Sequence, residues 1–210
     1  MTKIVLWRHG VTDWNEQGIF QGRMDIPLNE RGLRQAMAAA PSLAAMHPVA
    51  LYTSPMLRAL QTAAVLAAIT GQKAVTDDRL SEIDVGTWTG HTLAAAIADD
   101  PEVRAAVMAG VDYRRSPTGE TMTEVGVRAG GFLHEVAARH DGKTIVVVSH
   151  GGAIRMGIAS MLDWPYDTAV RLGGLANCGW CVLEQRYGRW RIEGYNCTAA
   201  PPDPDISNEI

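Results

Sequence analysis

Five side chains, Arg8, His9, Arg58, Glu82 and His150, together make up a chemistry that none of them implies alone. A phosphate monoester carries roughly −1.5 to −2 charge near neutral pH, so it repels an anionic nucleophile but not a neutral imidazole. Arginines neutralise the equatorial oxygens and hold them through forked hydrogen bonds. Phosphoryl transfer runs in line, so the leaving oxygen needs a proton from the far side, where a carboxylic acid can supply it. Two imidazoles, two guanidiniums and one acid are a sufficient set for moving a phosphoryl group without a metal ion. A lone His beside Gly is more commonly a turn residue. What outweighs that reading here is that the arrangement occurs twice.

Both histidines follow an apolar run. Ile4-Val5-Leu6-Trp7 leads into Arg8-His9-Gly10, and Ile145-Val146-Val147-Val148-Ser149 leads into His150-Gly151-Gly152. Unbroken apolar runs of this length predict strands buried on both faces, and the glycines let the chain leave the sheet sharply. If both strands are parallel and central, His9 and His150 emerge together at the carboxyl edge, where open α/β sheets bind ligands. Arg58 falls in the first turn of a helix expected to take Ser54 as its cap and Pro55 as its first residue, and to run to Thr70 with Gly71 as its stop. A cation there opposes the helix dipole by about a few tenths of a kcal/mol, and a bound anion reverses the sign.

The remaining elements follow from local signals. Residues 15–25 are polar and read as a loop near the active edge. Asn29 caps a helix that Pro41 should end or kink. A short strand is expected at 50–53, a brief edge strand at 74–80, and irregular chain at 81–90. Helices are expected at 91–98, from Asp100-Pro101 to about Gly110, through Val125, Ala129, Phe132, Leu133 and Val136 to about Arg139, and at 153–162. Strands at 177–185 and 190–196, joined through Tyr187-Gly188, predict an antiparallel pair. The fold class expected is α/β, a three-layer α/β/α sandwich whose central sheet is mostly parallel with an antiparallel C-terminal strand. One domain over 1–198 and a flexible tail at 199–210 complete the expected organisation.

Composition narrows the partners. With 210 residues, 47% of them hydrophobic, the chain can bury a proper core, and its net charge of −4 draws it to neither nucleic acid nor an acidic membrane. No segment has the roughly 20 apolar residues of a membrane span. Three cysteines and the lack of a signal-peptide pattern predict a cytoplasmic protein without a disulfide framework. Cys178-Gly-Trp-Cys181 falls in a predicted strand, where residues three apart face opposite ways, so two small buried side chains are expected rather than a redox or zinc half-motif. His47, His91, His134 and His140 have no metal-ligand spacing. Arg114-Arg115 reads as solvated loop charge, with a clamp on a substrate's acidic end as the open alternative.

The segments around these residues resemble the histidine phosphatase superfamily, in its phosphoglycerate mutase-like branch. The resemblance rests on Arg8-His9-Gly10-Val-Thr-Asp-Trp-Asn15, Gln21-Gly22, Leu28-Asn29-Glu30-Arg31-Gly32, Ser54-Pro55-Met-Leu-Arg58-Ala-Leu-Gln-Thr62, Leu80-Ser-Glu82, Gly86-Thr-Trp88-Thr-Gly90 and Ser149-His150-Gly151. It implies an α/β/α fold, with His9 as the nucleophile that becomes phosphohistidine and Glu82 as proton donor. It further implies Arg8, Arg58 and His150 as phosphoryl ligands, with Asn15, Gln21, Gly22 and Gly151 in the substrate site and no metal or organic cofactor. Mutases of this type carry a long Pro-rich insertion after a paired arginine. Here Arg114-Arg115-Ser116-Pro117 passes at once to Thr118-Gly119-Glu120-Thr121, as in the phosphatases, and His150 is followed by Gly-Gly-Ala rather than Gly-Asn-Ser. Hydrolysis of a small phosphate monoester is therefore expected. A phosphoglycerate mutase and a non-catalytic phospholigand-binding module are the alternatives. Residues 172–180 locally resemble the glucosyl-3-phosphoglycerate phosphatases, and a homodimer is compatible with the chain.

Overall fold

The two apolar runs that end in His-Gly are both strands buried along almost their whole length. The computed structural model describes residues 1–98 and 100–199, so the expected tail lies, from residue 200 onward, outside the described residues. The elements are β1 (Lys3–Arg8), α1 (Asp13–Glu16), α2 (Glu30–Ala44), β2 (Ala50–Thr53), α3 (Leu57–Thr70), β3 (Ala74–Thr76), α4 (Leu93–Ile97), α5 (Pro101–Ala109), α6 (Met122–Arg139), β4 (Thr144–Ser149), α7 (Gly151–Met161), α8 (Tyr166–Ala169), β5 (Trp180–Arg186) and β6 (Arg189–Cys197). One six-stranded sheet has the order β3-β2-β4-β1-β5-β6. Its first four strands are parallel, β5 pairs antiparallel with β1, and β6 antiparallel with β5. The expected fold class holds, and the antiparallel pair expected through Tyr187-Gly188 forms as β5 and β6.

Alternation along β1 divides the core. Ile4 and Leu6 join Ile145, Val147, Phe132, Val136, Ile154 and Ile158 under α6 and α7. Val5 and Trp7 join Val146, Val148 and the alanines of α2 and α3 on the other face. Helices on both faces of one sheet are the three-layer arrangement. Cys181 packs in the first of these clusters and Cys178 in the second, opposite faces as expected. Both are free thiols. No helix among the described residues is long and apolar enough to cross a membrane.

Several boundaries differ from expectation. Residues 13–16 form a helical turn instead of entering a loop, because Thr12 and Asn15 satisfy each other's backbone N–H groups in a capping box. Helix α2 continues past Pro41 to Ala44, so the proline does not end it. Helix α3 begins at Leu57 with Met56 at its cap position, not at Pro55, and the Ser54 hydroxyl accepts from Met56 N at 3.3 Å just ahead of it. Only 74–76 of the predicted edge strand pairs. Asp77 then caps a 3-10 turn at Asp78–Leu80, and a second such turn, Gly86–Trp88, lies in the stretch expected to be irregular. Helix α7 begins two residues earlier than predicted, at Gly151. Strand β5 begins three residues late, after a turn in which Cys178 has φ 55°. The short α8 went unpredicted.

Candidate active site

Register decides the site. β1 and β4 pair with Arg8 beside Ser149, so the next residue on each strand is a histidine. The His9 N–H donates to the Ser149 carbonyl at 3.0 Å, and the two imidazole centroids lie 5.1 Å apart with planes 59° from parallel. The turn after His9 is held tightly. A Cβ at Gly10 would stand 2.5 Å from the Gly32 carbonyl oxygen, so only glycine lets α2 approach this closely.

Hydrogen bonds fix both neutral tautomers. His9 Nδ1 lies 2.7 Å from the Gly10 carbonyl oxygen, which can only accept, so Nδ1 carries the proton and Nε2 keeps its lone pair. Arg58 Nε donates to His150 Nδ1 at 3.2 Å, so His150 carries its proton on Nε2 and donates to the Ser54 hydroxyl at 2.7 Å. Burial, then the Arg58 charge, then Arg8 hold the His9 imidazole well below its ordinary range, against a smaller opposite effect of its bond to Gly10. Burial, Arg58, His9 and Arg8 act likewise on His150.

These shifts set an acid limit on stability. Unfolded, each imidazole takes up a proton at about pH 6.5; folded, each does so only at lower pH. Between those values the unfolded chain binds more protons, so stability is fully present above pH 6.5 and declines as pH falls below it. Melting at pH 7.5 and 5.5 should give a lower Tm at 5.5, and a smaller drop in His9→Asn, which removes one of the two groups. An equal drop in the variant would count against His9 as a source.

The guanidiniums are anchored by backbone. Arg8 Nη1 donates to the Leu175 carbonyl at 2.6 Å, and Arg58 donates to the Gly22 and Met24 carbonyls, each at 2.8 Å. Both are buried, Arg58 at 1% exposure. These neutral carbonyls orient both guanidiniums without cancelling their positive charge. Opposite them, the Glu82 carboxylate accepts from Ile83 N at 2.9 Å and from Gly152 N and Ala153 N at 3.2 Å, over the start of α7. A Cβ at Gly152 would stand 2.7 Å from Glu82 Oε1, so this glycine leaves room for the acid.

The sequence-predicted site comes together. Arg8, His9, Asn15, Gln21, Gly22, Arg58, Glu82 and Gly151 line one cleft of about 840 Å³, counted out to its mouth. His150 lies directly behind it, fully buried. Asn15 Oδ1 accepts from Thr12 N at 3.0 Å and lies 3.3 Å from Asn177 Nδ2, while Gln21 Oε1 is buried without a hydrogen-bond partner among the described residues. Among the described residues, no group of three or more His, Cys, Asp or Glu side chains could hold a metal ion.

Sequence reasoning missed the residues that hold the acid and orient the second histidine. Arg128 of α6 donates to the Arg79, Ser81 and Glu82 carbonyls at 2.9, 2.6 and 3.0 Å and pairs with Glu120 at 2.9 Å. Its only sequence signal was a charge beside the apolar stripe of a helix. Ser54 read as a cap, yet it bonds His150. Arg114, half of the open clamp, instead pairs with Glu124 at 2.5 Å, and Arg115 lines the cleft with its guanidinium 3.9 Å over the Tyr113 ring. The loop after them is short: Arg115 N–H reaches the Glu120 carbonyl at 3.0 Å.

Residues 4–198 match the family model described as "Histidine phosphatase superfamily (branch 1)". A glucosyl-3-phosphoglycerate phosphatase of Mycolicibacterium vanbaalenii is 32% identical over 227 residues, covering 99% of this chain and 98% of its own length. Phosphoserine phosphatase 1 of Hydrogenobacter thermophilus is 34% identical over 171 residues, or 77% of each chain. A solved structure of a mycobacterial glucosyl-3-phosphoglycerate phosphatase in complex with VO3 superposes with a TM-score of 0.86 at 34% identity, over 93% of this chain and 99% of that one.

Proposed function

Because the chain belongs to branch 1 of the histidine phosphatase superfamily and is a phosphatase of small phosphate esters, we propose that it works through a phosphohistidine on His9, with glucosyl-3-phosphoglycerate or a related phosphoglycerate-type or sugar-phosphate ester as substrate. The observation that carries this reading is His9 Nε2, kept unprotonated by the bond from Nδ1 to Gly10 and set between two buried guanidiniums. In the first step Nε2 attacks phosphorus as the ester P–O bond breaks, and Glu82 gives its proton to the departing oxygen. Water then attacks the phosphohistidine, Glu82 takes a proton back, and the P–N bond breaks to release phosphate. Arg8 and Arg58 hold the equatorial oxygens in both steps, fixed in advance by their carbonyl anchors. For His150 to grip a phosphoryl oxygen, it would exchange the Ser54 hydroxyl for that oxygen. Until then it orients Arg58.

Hydrolysis fits better than mutase activity because the 115–120 turn closes tightly, leaving a small cap to shield a phosphohistidine from water. The test is a screen of phosphate esters with chelator present, including glucosyl-3-phosphoglycerate, phosphoserine, and 3-phosphoglycerate with 2,3-bisphosphoglycerate. Release of inorganic phosphate with the highest kcat/KM on a phosphoglycerate-type ester supports the reading. Isomerisation of 3-phosphoglycerate without phosphate release would make the chain a mutase. Tight phosphate binding without turnover would make it a binding module.

Arg58→Ala should lower kcat/KM by about 10²–10³-fold, the range for one preorganised donor to a developing oxyanion. Arg58→Lys should not restore it, because an ammonium cannot reproduce the fork that reaches His150, Gly22 and Met24 at once. Full activity in Arg58→Lys would show that charge alone suffices.

A further inference from the structure

Four arginines among the described residues line the cleft: Arg8, Arg58, Arg115 and Arg155. The first two face the phosphoryl position, and Arg115 pairs with Asp112 at 3.2 Å. Arg155 has no carboxylate within ion-pair distance among the described residues. Its neighbour Tyr195 is neutral and turns its hydroxyl to the Gly173 carbonyl. A half-buried cation without a counter-charge is costly, and a bound anion removes the cost.

Its place along the helix says where that anion would sit. Arg155 is four residues after Gly151 on α7, so it shares a face with Gly151 about 6 Å further along the axis. Helical side chains lean toward the N-terminus, which directs this one back over the cleft. With Tyr113, Arg115, Met122 and Gly174, it also borders a second cavity walled by Val107, Val111, Tyr166 and Leu172. Arg155 is thus one of the residues that border both the phosphoryl cleft and that cavity, within reach of a leaving group that extends from one to the other.

We propose that Arg155 is a specificity-determining residue that binds a carboxylate on the leaving group, one helical turn from the phosphoryl cup, so that phosphorylated hydroxy acids are preferred over uncharged phosphate esters. This rests on the phosphatase reading above and narrows it to a substrate class. The carboxylate is placed by its fit to a forked guanidinium at the edge of the cleft.

The test compares 3-phosphoglycerate with glycerol 3-phosphate, which differ only by a carboxylate in place of a hydroxymethyl group. The wild-type protein should favour 3-phosphoglycerate by about 30-fold or more in kcat/KM, the range expected of a charge-assisted bidentate contact. Arg155→Met should bring the two esters within about threefold, mainly through a higher KM for 3-phosphoglycerate, and Arg155→Lys should recover part of the preference. The shift in Tm produced by inorganic phosphate reports whether each variant is folded with an intact cup. If Arg155→Met is not, Arg155→Gln takes its place. A wild-type protein indifferent to the carboxylate, a preference unchanged in the variants, or an equal loss on both esters overturns the proposal. A wild-type protein that hydrolyses no phosphate ester instead overturns the phosphatase reading beneath it, and this proposal with it.

Discussion

His9→Ala should abolish turnover, by at least about 10⁴-fold in kcat, while the chain stays folded and still binds inorganic phosphate. The variant removes the lone pair on Nε2, and nothing else in the cleft can take over its role. His150 is fully buried with both ring nitrogens bonded to Arg58 and Ser54. Phosphate binding should survive because Arg8 and Arg58 are held by backbone carbonyls that the substitution leaves alone. The decisive measurement is trapping. Wild-type enzyme quenched in alkali after mixing with a labelled ester should carry label that acid releases, as a phosphoramidate does, and His9→Ala should carry none. Label on the variant, or turnover within tenfold of wild type, would place the nucleophile elsewhere.

The second large effect is selective. Glu82→Gln should slow esters of alkyl alcohols by about 10²–10⁴-fold, the range for a positioned general acid, and slow p-nitrophenyl phosphate by less than about tenfold. A nitrophenolate leaves without a proton; a sugar or glycerate oxygen does not. The competing role for Glu82 is structural, since its carboxylate caps the first turn of α7 through Gly152 and Ala153. A glutamine keeps one accepting oxygen there, and loses the second cap hydrogen bond together with the charge–dipole contribution of about 0.3–1 kcal/mol, a structural loss that falls on both esters alike. If capping were the whole role, both esters would slow equally. Parallel Brønsted plots of rate against leaving-group pKa for the two proteins would therefore refute the acid assignment.

Acid and nucleophile depend on opposite devices. His9 is kept neutral by burial and by two neighbouring positive charges, the same charges that attract the phosphate. Glu82 sits across the cleft, pinned by Arg128 through the carbonyls of residues 79, 81 and 82. Weakening Arg128 should thus misplace the acid before it touches the nucleophile.

The buried β1 and β4, the histidine at the end of each, and the α/β class were legible from the chain because they rest on local regularities. Apolar runs of four residues, too short for a helix and closed within three residues by a glycine, favour a buried strand. Helix ends were less legible where a side chain had two possible partners. Ser54 has the chemistry of a cap and accepts from Met56 N at 3.3 Å, and only tertiary contact shows that its hydroxyl also accepts from His150. The tertiary structure alone decided the β1–β4 register that sets two imidazoles 5.1 Å apart, the tautomer of each, and the long reach of Arg128 from α6 to the acid. Side-chain type determines which chemistry is available. Distance and protonation state, which turn it into a site, arise from groups as far apart as Arg8 and Leu175, 167 positions in sequence, and have no local signature.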